Sequence, residues 1–346
     1  MSKQFGGKVT KKLKDRYEKS PNWKDGKFMN LEETTMDISF LNMPKLLYRQ
    51  VFDKAGREPE KNLPILPFDK EKFLESSDGA KFIWYGHSVA LMRINGLTIL
   101  MDPMLGPNAS PIAPFSTKRF SKRSLDLISD FPEIDLMLMT HDHYDHLDLA
   151  SISRLQHKVK KCFVALGVGR HLEYWGWDVN KIQEFDWWEN AKFENIEITF
   201  TPSRHFSGRG LTDRAKSLWG GWVFKTEQES IYWSGDGGYG NHFKEVGEKL
   251  GPFDIGFMEC GQYNANWHLI HMYPEEAVQA AIDAGVKKAV AVHWAGFALA
   301  QHTWVNPFER FCKAAEENKL EILTPEIGEL FKMDEEKSEK WWEQYM

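Results

Sequence analysis

The segment MTHDHYDHLD, residues 139–148, places three histidines and two aspartates within six consecutive positions. It follows EIDLML, whose apolar residues predict a buried strand. Ionisable side chains crowded at the end of a buried strand cost free energy unless something compensates for their burial, and a metal ion does so. The pattern therefore predicts a metal site that includes His141, His143, Asp145 and His146.

The other candidate ligands also follow predicted strands. His205 comes after IEITFTPSR, Asp236 after SIYWSG and His293 after KAVAV. Loops at one end of packed sheets converge in space, so we expect these residues to join the first cluster. Imidazole and carboxylate groups suit zinc, and also iron or manganese. Seven such ligands suit two ions that share a bridging carboxylate and lie about 3.5–4 Å apart.

Three further polar residues receive a different interpretation. His87 and Asp102 lie at predicted strand ends, and we expect them to orient metal ligands rather than to bind the metal. His268 is either a substrate contact or an ordinary loop residue.

Strand-like and helix-like segments alternate after residue 78. AKFIWYGHSVALMRINGLTILMDP predicts three strands in succession, with a type I′ hairpin turn at Asn95-Gly96. YPEEAVQAAIDAGVKKAVAVHW predicts a helix that begins near Pro274 and ends at Gly285, followed by a strand. This order of elements predicts an α/β fold, an αββα sandwich of two mixed β-sheets flanked by helices.

The chain divides into three predicted parts. Residues 1–78 form an N-terminal lead-in packed on the main domain, residues 79–333 form the main domain, and residues 334–346 form a charged C-terminal tail. Within the lead-in, MPKLLYRQVF, residues 43–52, predicts a short amphipathic helix with Leu46 and Leu47 on its apolar side. Such a helix can contact a membrane surface or pack against its own core.

Composition narrows the class of protein. The formal net charge is −6, so no nucleic-acid partner is expected. The three cysteines are far apart in the sequence, which predicts a reducing compartment and a cytoplasmic location. The basic N-terminus lacks the apolar core of a secretory signal. No apolar run of about 18 residues occurs, so no membrane-spanning segment is expected.

The motif His-x-His-x-Asp-His resembles the signature of the metallo-β-lactamase superfamily. Further segments resemble, in the same order, the N-acyl-phosphatidylethanolamine phospholipase D family. These segments include FIWYGHSVALMRINGLTILMDPMLG, HDHYDHLD, EFDWWE, TPSRHF, LWGGWVF, GDGGY, GPFDIG, PEEAV and VHWAGFALA. The resemblance extends from about residue 24 to about residue 331, and it implies the metallo-β-lactamase αββα sandwich.

The resemblance also implies roles for individual residues. His141, His143 and His205 would hold one zinc ion, Asp145, His146 and His293 would hold the other, and Asp236 would bridge them. His271 would lie near the substrate phosphate, and Tyr144 would lie beside the site. From the chemistry of a metal-bound hydroxide, Asp145 can also orient the hydroxide, and His271 can bind the phosphate or assist protonation of the leaving group, so these two residues are the catalytic candidates.

Two departures from the family pattern lie near the expected substrate pocket. Gly237 stands where the family usually has a hydroxyl residue, and ECGQYNANWHLIH, residues 259–271, differs through most of its length. Both departures concern the identity of the substrate more than the binding of metal.

Three functions stay open, and the first is favoured. It is a binuclear zinc phosphodiesterase of the phospholipase D type that acts at a membrane surface and uses a metal-bound hydroxide. Its substrate would be an N-acyl-phosphatidylethanolamine-like phospholipid and its products phosphatidic acid and an N-acylethanolamine.

The second possible function is a metal-dependent hydrolase of a small phosphorylated molecule, a small phosphodiester or a lactone. The third is a metal-binding protein without turnover. The sequence leaves a homo-oligomer open.

Overall fold

The computed structural model of the chain describes residues 3–36, 48, 55–109, 117–335 and 340–346. Two seven-stranded β-sheets dominate these residues. Each sheet contains three antiparallel strand pairings followed by three parallel pairings. A small hairpin of β1 (Trp23–Lys24) and β2 (Lys27–Phe28) precedes them.

The first sheet is built mainly from the first half of the chain, and its order is β16-β3-β4-β5-β6-β7-β8. Its strands are β3 (Lys81–Trp84), β4 (Ala90–Ile94), β5 (Leu97–Met101), β6 (Ile134–Met139), β7 (Val159–Ala165), β8 (Ile182–Phe185) and β16 (Leu330–Lys332). The predicted hairpin is confirmed, because Ile94 pairs with Leu97 and both turn residues have positive φ, 48° at Asn95 and 74° at Gly96.

The second sheet follows the sequence order without interruption, from β9 to β15. Its strands are β9 (Asn190–Phe193), β10 (Ile196–Thr201), β11 (Gly221–Lys225), β12 (Ser230–Trp233), β13 (Phe253–Glu259), β14 (Val286–Val292) and β15 (Glu321–Leu323). Together with the first sheet it confirms the predicted α/β fold of two mixed sheets flanked by helices.

Helices lie between the strands and at the N-terminus. The α-helices are α1 (Lys11–Tyr17), α2 (Lys70–Leu74), α3 (Leu127–Asp130), α4 (Leu149–Leu155), α5 (Gly169–Tyr174), α6 (His242–Leu250), α7 (Pro274–Asp283) and α8 (Asn306–Asn318). Helix α7 begins at the predicted proline, and the Glu276 carboxylate accepts the Tyr273 N–H at 2.9 Å. Gly285 follows the helix with a φ of 72°, a conformation that glycine adopts without steric cost.

Aromatic side chains join the two sheets across the central core. Phe82 of β3 lies 5.3 Å from Phe257 of β13, and Phe185 of β8 lies 5.3 Å from Trp222 of β11, measured between ring centroids. All four side chains are buried. Such pairs contribute roughly 0.5–1.5 kcal/mol each beyond the burial of their apolar area. They therefore help to hold the two sheets against each other.

The segments outside residues 79–333 also contact this core. Tyr17 of α1 is buried and its hydroxyl donates to the Lys216 carbonyl at 2.7 Å. In the C-terminal segment, the buried side chains of Trp341 and Trp342 pack around Trp294. The domain boundaries at 79 and 333 stay predictions. The proposed amphipathic helix at 43–52 lies outside the described residues apart from Tyr48.

In the part of the chain that the structure describes, every helix is too short or too polar to cross a lipid bilayer.

Candidate metal centre

The predicted ligands all lie in loops that follow the C-terminal ends of strands. His141, His143, Asp145 and His146 follow β6. His205 follows β10, Asp236 follows β12 and His293 follows β14. Strands β10 and β12 are both antiparallel to β11 and therefore run in the same direction. Strand β14 runs in this direction as well, because it is parallel to β13, which is parallel to β12. The seven side chains consequently meet at one edge of the sandwich.

The first group of donors is formed by three imidazoles. The Nδ1 atom of His143 lies 3.0 Å from His141 Nε2 and 3.1 Å from His205 Nε2. The outer nitrogen of His205 faces the Ile270 carbonyl at 2.9 Å, and that of His141 faces the Thr140 hydroxyl at 3.0 Å. These contacts aim the remaining ring nitrogens at a common point.

The second group of donors combines two imidazoles with a carboxylate. Asp145 Oδ2 lies 3.2 Å from His293 Nε2 and 3.7 Å from His146 Nε2. The side chains of His146 and His293 are about 1% exposed, whereas that of Asp145 is 14% exposed. Asp145 is therefore the member of this group that faces the accessible side of the site.

Asp236 lies between the two groups. Its Oδ2 atom is 3.0 Å from His146 Nε2, 3.0 Å from His293 Nε2 and 4.0 Å from His141 Nε2. One carboxylate thus faces donors of both groups, which is the position required of a ligand shared by two ions.

Burial and mutual charge give the two groups opposite electrostatic character. Burial, together with neighbouring imidazoles, lowers the pKa of His141 and His205, and burial lowers that of His143 to about 4. Burial also opposes a charge on His146, but the carboxylates of Asp236 and Asp145 outweigh it and raise the pKa of His146 to about 10. The first group therefore offers neutral imidazoles, and the second attracts positive charge.

This donor set fits metal ions. Zinc bonds of about 2.0–2.1 Å to nitrogen or oxygen in a tetrahedral site place ligand atoms roughly 3.3 Å apart, and most donor contacts within each group are 3.0–3.2 Å. The neutral imidazoles of the first group and the ionised carboxylates have the protonation states that divalent metals require. The carboxylates that raise the pKa of His146 would attract a metal cation in place of its proton. The residues would hold metal, and the number of ions and the individual roles of the ligands stay predictions.

Two further side chains contact the predicted ligands, and their role in orienting these ligands stays a prediction. Asp102 follows β5, and its Oδ2 atom accepts hydrogen bonds from His146 Nδ1 at 2.9 Å and from the Thr140 hydroxyl at 2.6 Å. His87 follows β3, and its Nε2 atom lies 2.9 Å from Asp145 Oδ2. Asp102 lies on the far side of His146, where a partner fixes the orientation and the tautomer of a ligand histidine, whereas His87 faces the same Asp145 oxygen that faces His293.

The three candidates for substrate contact lie at different depths. His271 is 14% exposed and stacks parallel to His293, with ring centroids 5.2 Å apart. The Tyr144 hydroxyl donates to the Arg209 carbonyl at 2.5 Å, and burial raises its pKa to about 12. His268 is exposed on the loop, where its Nδ1 atom faces the Ala265 carbonyl at 3.3 Å. Of the three, His271 lies against the metal centre.

Sequence analysis did not single out Glu259 or Gln262. Glu259 is the last residue of β13 and is fully buried beside His271. The Gln262 side chain accepts the Leu299 and Ala300 N–H groups at 2.9 Å and so ties the loop after β13 to the loop after β14. Glu259 could have been found by the strand-end rule that identified Asp236 and His293. No sequence signal marks Gln262.

Sequence comparison relates this chain to known proteins. The family model described as the beta-lactamase superfamily domain matches residues 98–294, a range that contains all seven predicted ligands. An uncharacterised protein of Mycobacterium tuberculosis is 35% identical over 317 residues, which cover 90% of this chain and 84% of that protein. The N-acyl-phosphatidylethanolamine-hydrolyzing phospholipase D 1 of Caenorhabditis elegans is 31% identical over 252 residues, which cover 69% of this chain and 70% of that protein.

Solved structures show the same fold. Igni18, a metallo hydrolase from Ignicoccus hospitalis, superposes with a TM-score of 0.56 at 20% identity, over 73% of this chain and 98% of that chain. The family model, the relatives and this neighbour agree, and the chain belongs to the metallo-β-lactamase superfamily of hydrolases.

Proposed function

We propose that this metal-dependent hydrolase is a binuclear phosphodiesterase of the phospholipase D type. Its substrate is an N-acyl-phosphatidylethanolamine-like lipid, which it hydrolyses to phosphatidic acid and an N-acylethanolamine. The similarity to the enzyme of Caenorhabditis elegans supports the substrate class. Zinc is the proposed metal, with iron or manganese as alternatives that the same donors accept.

The position of Asp236 carries the proposal. Its carboxylate faces imidazoles of both donor groups at 3.0–4.0 Å, which supports two adjacent ions rather than one. When bound, two such ions lower the pKa of water and offset the negative charge that develops on a transferring phosphoryl group. A phosphodiester needs both effects, and no protein nucleophile is required.

The protein side chains supply orientation and proton transfer. Asp145 contacts His87 at 2.9 Å and is the most accessible of the second group's donors, so it can accept a hydrogen bond from the attacking water. His271 stands on the accessible side of His293, where it can donate to the phosphate or protonate the leaving oxygen. The loops around them exclude bulk water, because most of the donor imidazoles are fully buried.

The test is a turnover assay with metal-replete protein on lipids and soluble compounds. The panel contains N-acyl-phosphatidylethanolamine, phosphatidylethanolamine, a short-chain soluble phosphodiester and a phosphorylated lactone. We expect release of N-acylethanolamine from the first lipid. Turnover confined to the soluble compounds would replace the lipid by a small substrate, and no turnover on any compound would favour a metal-binding protein without catalysis.

A further inference from the structure

Glu259 is a fully buried carboxylate at the edge of the second sheet, next to the metal centre. Burying a carboxylate costs free energy unless hydrogen-bond donors compensate for the lost water. The groups that face Glu259 must therefore compensate for the burial of its charge.

Two imidazole nitrogens and one backbone N–H face this carboxylate. Glu259 Oε1 lies 3.2 Å from His271 Nδ1, within hydrogen-bond distance, and 3.4 Å from His293 Nδ1, a buried nitrogen that makes no hydrogen bond of regular geometry. Glu259 Oε2 accepts the Met272 backbone N–H at 3.2 Å. The two imidazole rings stack with an interplanar angle of 11°, so one carboxylate faces the same nitrogen of both rings.

A carboxylate can only accept hydrogen bonds, so it selects imidazoles that carry a hydrogen on Nδ1. A neutral imidazole then keeps its lone pair on Nε2. In His293 this is the nitrogen that faces Asp236 at 3.0 Å and Asp145 at 3.2 Å. Histidines that bind metals commonly donate their other N–H to a carboxylate in this way.

We propose that Glu259 is a positioning residue shared by a predicted metal ligand and the predicted phosphate-facing histidine. By accepting Nδ1–H from His271, and as the carboxylate that faces the otherwise unpartnered Nδ1 of His293, it fixes the tautomer and the ring plane of each. The effect of Glu259 on turnover through His271 rests on the proposed function. Its effect on the ring tautomers and on metal affinity does not rest on it and is tested separately.

The first measurement uses the unmodified protein labelled with ¹⁵N-histidine and loaded with zinc. Long-range ¹H–¹⁵N correlation spectra report which ring nitrogen carries hydrogen, and the His271 signal is assigned by its loss in H271A. We expect hydrogen on Nδ1 of His271. Finding it on Nε2 alone would overturn the proposal without any mutation in Glu259.

The second measurement uses E259Q, which preserves the volume of the side chain. The Met272 backbone N–H can only donate, so the glutamine oxygen faces it and the amide NH₂ faces the imidazoles. Both imidazoles must then accept at Nδ1 and carry their hydrogen on Nε2. We expect the His271 tautomer to invert and the affinity for one of the two zinc ions to fall about 10–100-fold.

E184Q is the matched control. Glu184 is a carboxylate whose side chain is 10% exposed, and it also accepts backbone N–H groups, from Gly167 at 2.9 Å and Gly169 at 3.0 Å, but it lies on β8. We expect this variant to keep the wild-type tautomers and metal affinities.

The outcomes separate the two proposals. If E259Q changes neither the tautomer nor the zinc affinity, or changes only one of them, Glu259 is not a shared positioning residue. If both change but wild-type protein hydrolyses no phosphodiester, the proposed function fails while this inference stands. With an active enzyme at saturating zinc, E259Q should lower kcat by about tenfold or more and have no further effect in an H271A background.

Discussion

Replacing Asp102 by asparagine tests whether the loops around the centre orient the metal ligands. Asp102 Oδ1 accepts the Thr140 backbone N–H at 2.8 Å, and Oδ2 accepts from His146 Nδ1 at 2.9 Å. In Asp102→Asn, the side-chain amide oxygen must accept the Thr140 backbone N–H, so the side-chain NH₂ group faces His146. His146 must then place its hydrogen on Nε2, the nitrogen that faces Asp236.

The expected loss follows from this displaced hydrogen bond. Removing a partner of this kind costs about 10–100-fold in metal affinity, which corresponds to about 1.4–2.7 kcal/mol. The loss should fall on the ion held by the group that contains His146. The group of His141, His143 and His205 is linked to Asp102 as well, because the Thr140 hydroxyl donates to Asp102 Oδ2 at 2.6 Å and faces His141 Nδ1 at 3.0 Å. We therefore expect a smaller loss of affinity for the ion held by that group.

The assay is zinc titration of metal-free protein in competition with a chromophoric chelator at fixed pH. Asp135→Asn is the control, because Asp135 lies on the same strand β6 but contacts Thr98 and Lys160 away from the site. Two unchanged zinc affinities in a folded Asp102→Asn protein would refute the view that Asp102 sets the tautomer of His146.

Fully active protein should contain about two metal ions per chain, measured by elemental analysis and lost on chelation, and one ion or none would reject the binuclear centre. Asp236→Ala should abolish turnover while circular dichroism shows a retained fold; normal turnover in a folded variant would exclude a bridging role. His271→Ala should lower phosphodiester turnover without lowering metal content, and metal loss alongside activity would instead make His271 a ligand. Phe82→Ala should lower the free energy of unfolding by about 3–5 kcal/mol in a denaturant titration, because the ring is fully buried between the sheets; a loss below about 1 kcal/mol would contradict that packing.

Much of the site was predictable because its residues obey local rules. A buried strand is recognised from a short apolar run, and a polar residue directly after it is recognised from its position alone. These rules placed His141, Asp236 and His293 at one edge of the sandwich, and they would have placed Glu259 there as well. The predicted hairpin at Asn95-Gly96 depends on the same kind of short-range signal.

Backbone strain at the site could not be predicted in this way. His87, Asp102 and His293 have φ angles of 55°, 36° and 68°, which are unusual for residues other than glycine. Each such conformation costs on the order of 1–3 kcal/mol and persists only where the surrounding structure enforces it. The His293 N–H donates to the His87 carbonyl at 2.9 Å, and that contact links loops from the two different sheets.

The sequence by itself determined the fold class, the chemical identity of the donors and the strand ends that carry them, because each depends on residues close together in the chain. Only the tertiary structure decided which ring nitrogen faces the centre, which carboxylate lies behind each ligand and how deeply each side chain is buried. Asp102 and His146 are 44 positions apart, and His87 and Asp145 are 58 apart. Contacts of this range depend on how two sheets pack, and no local pattern in the sequence encodes the direction in which a buried hydrogen bond is made.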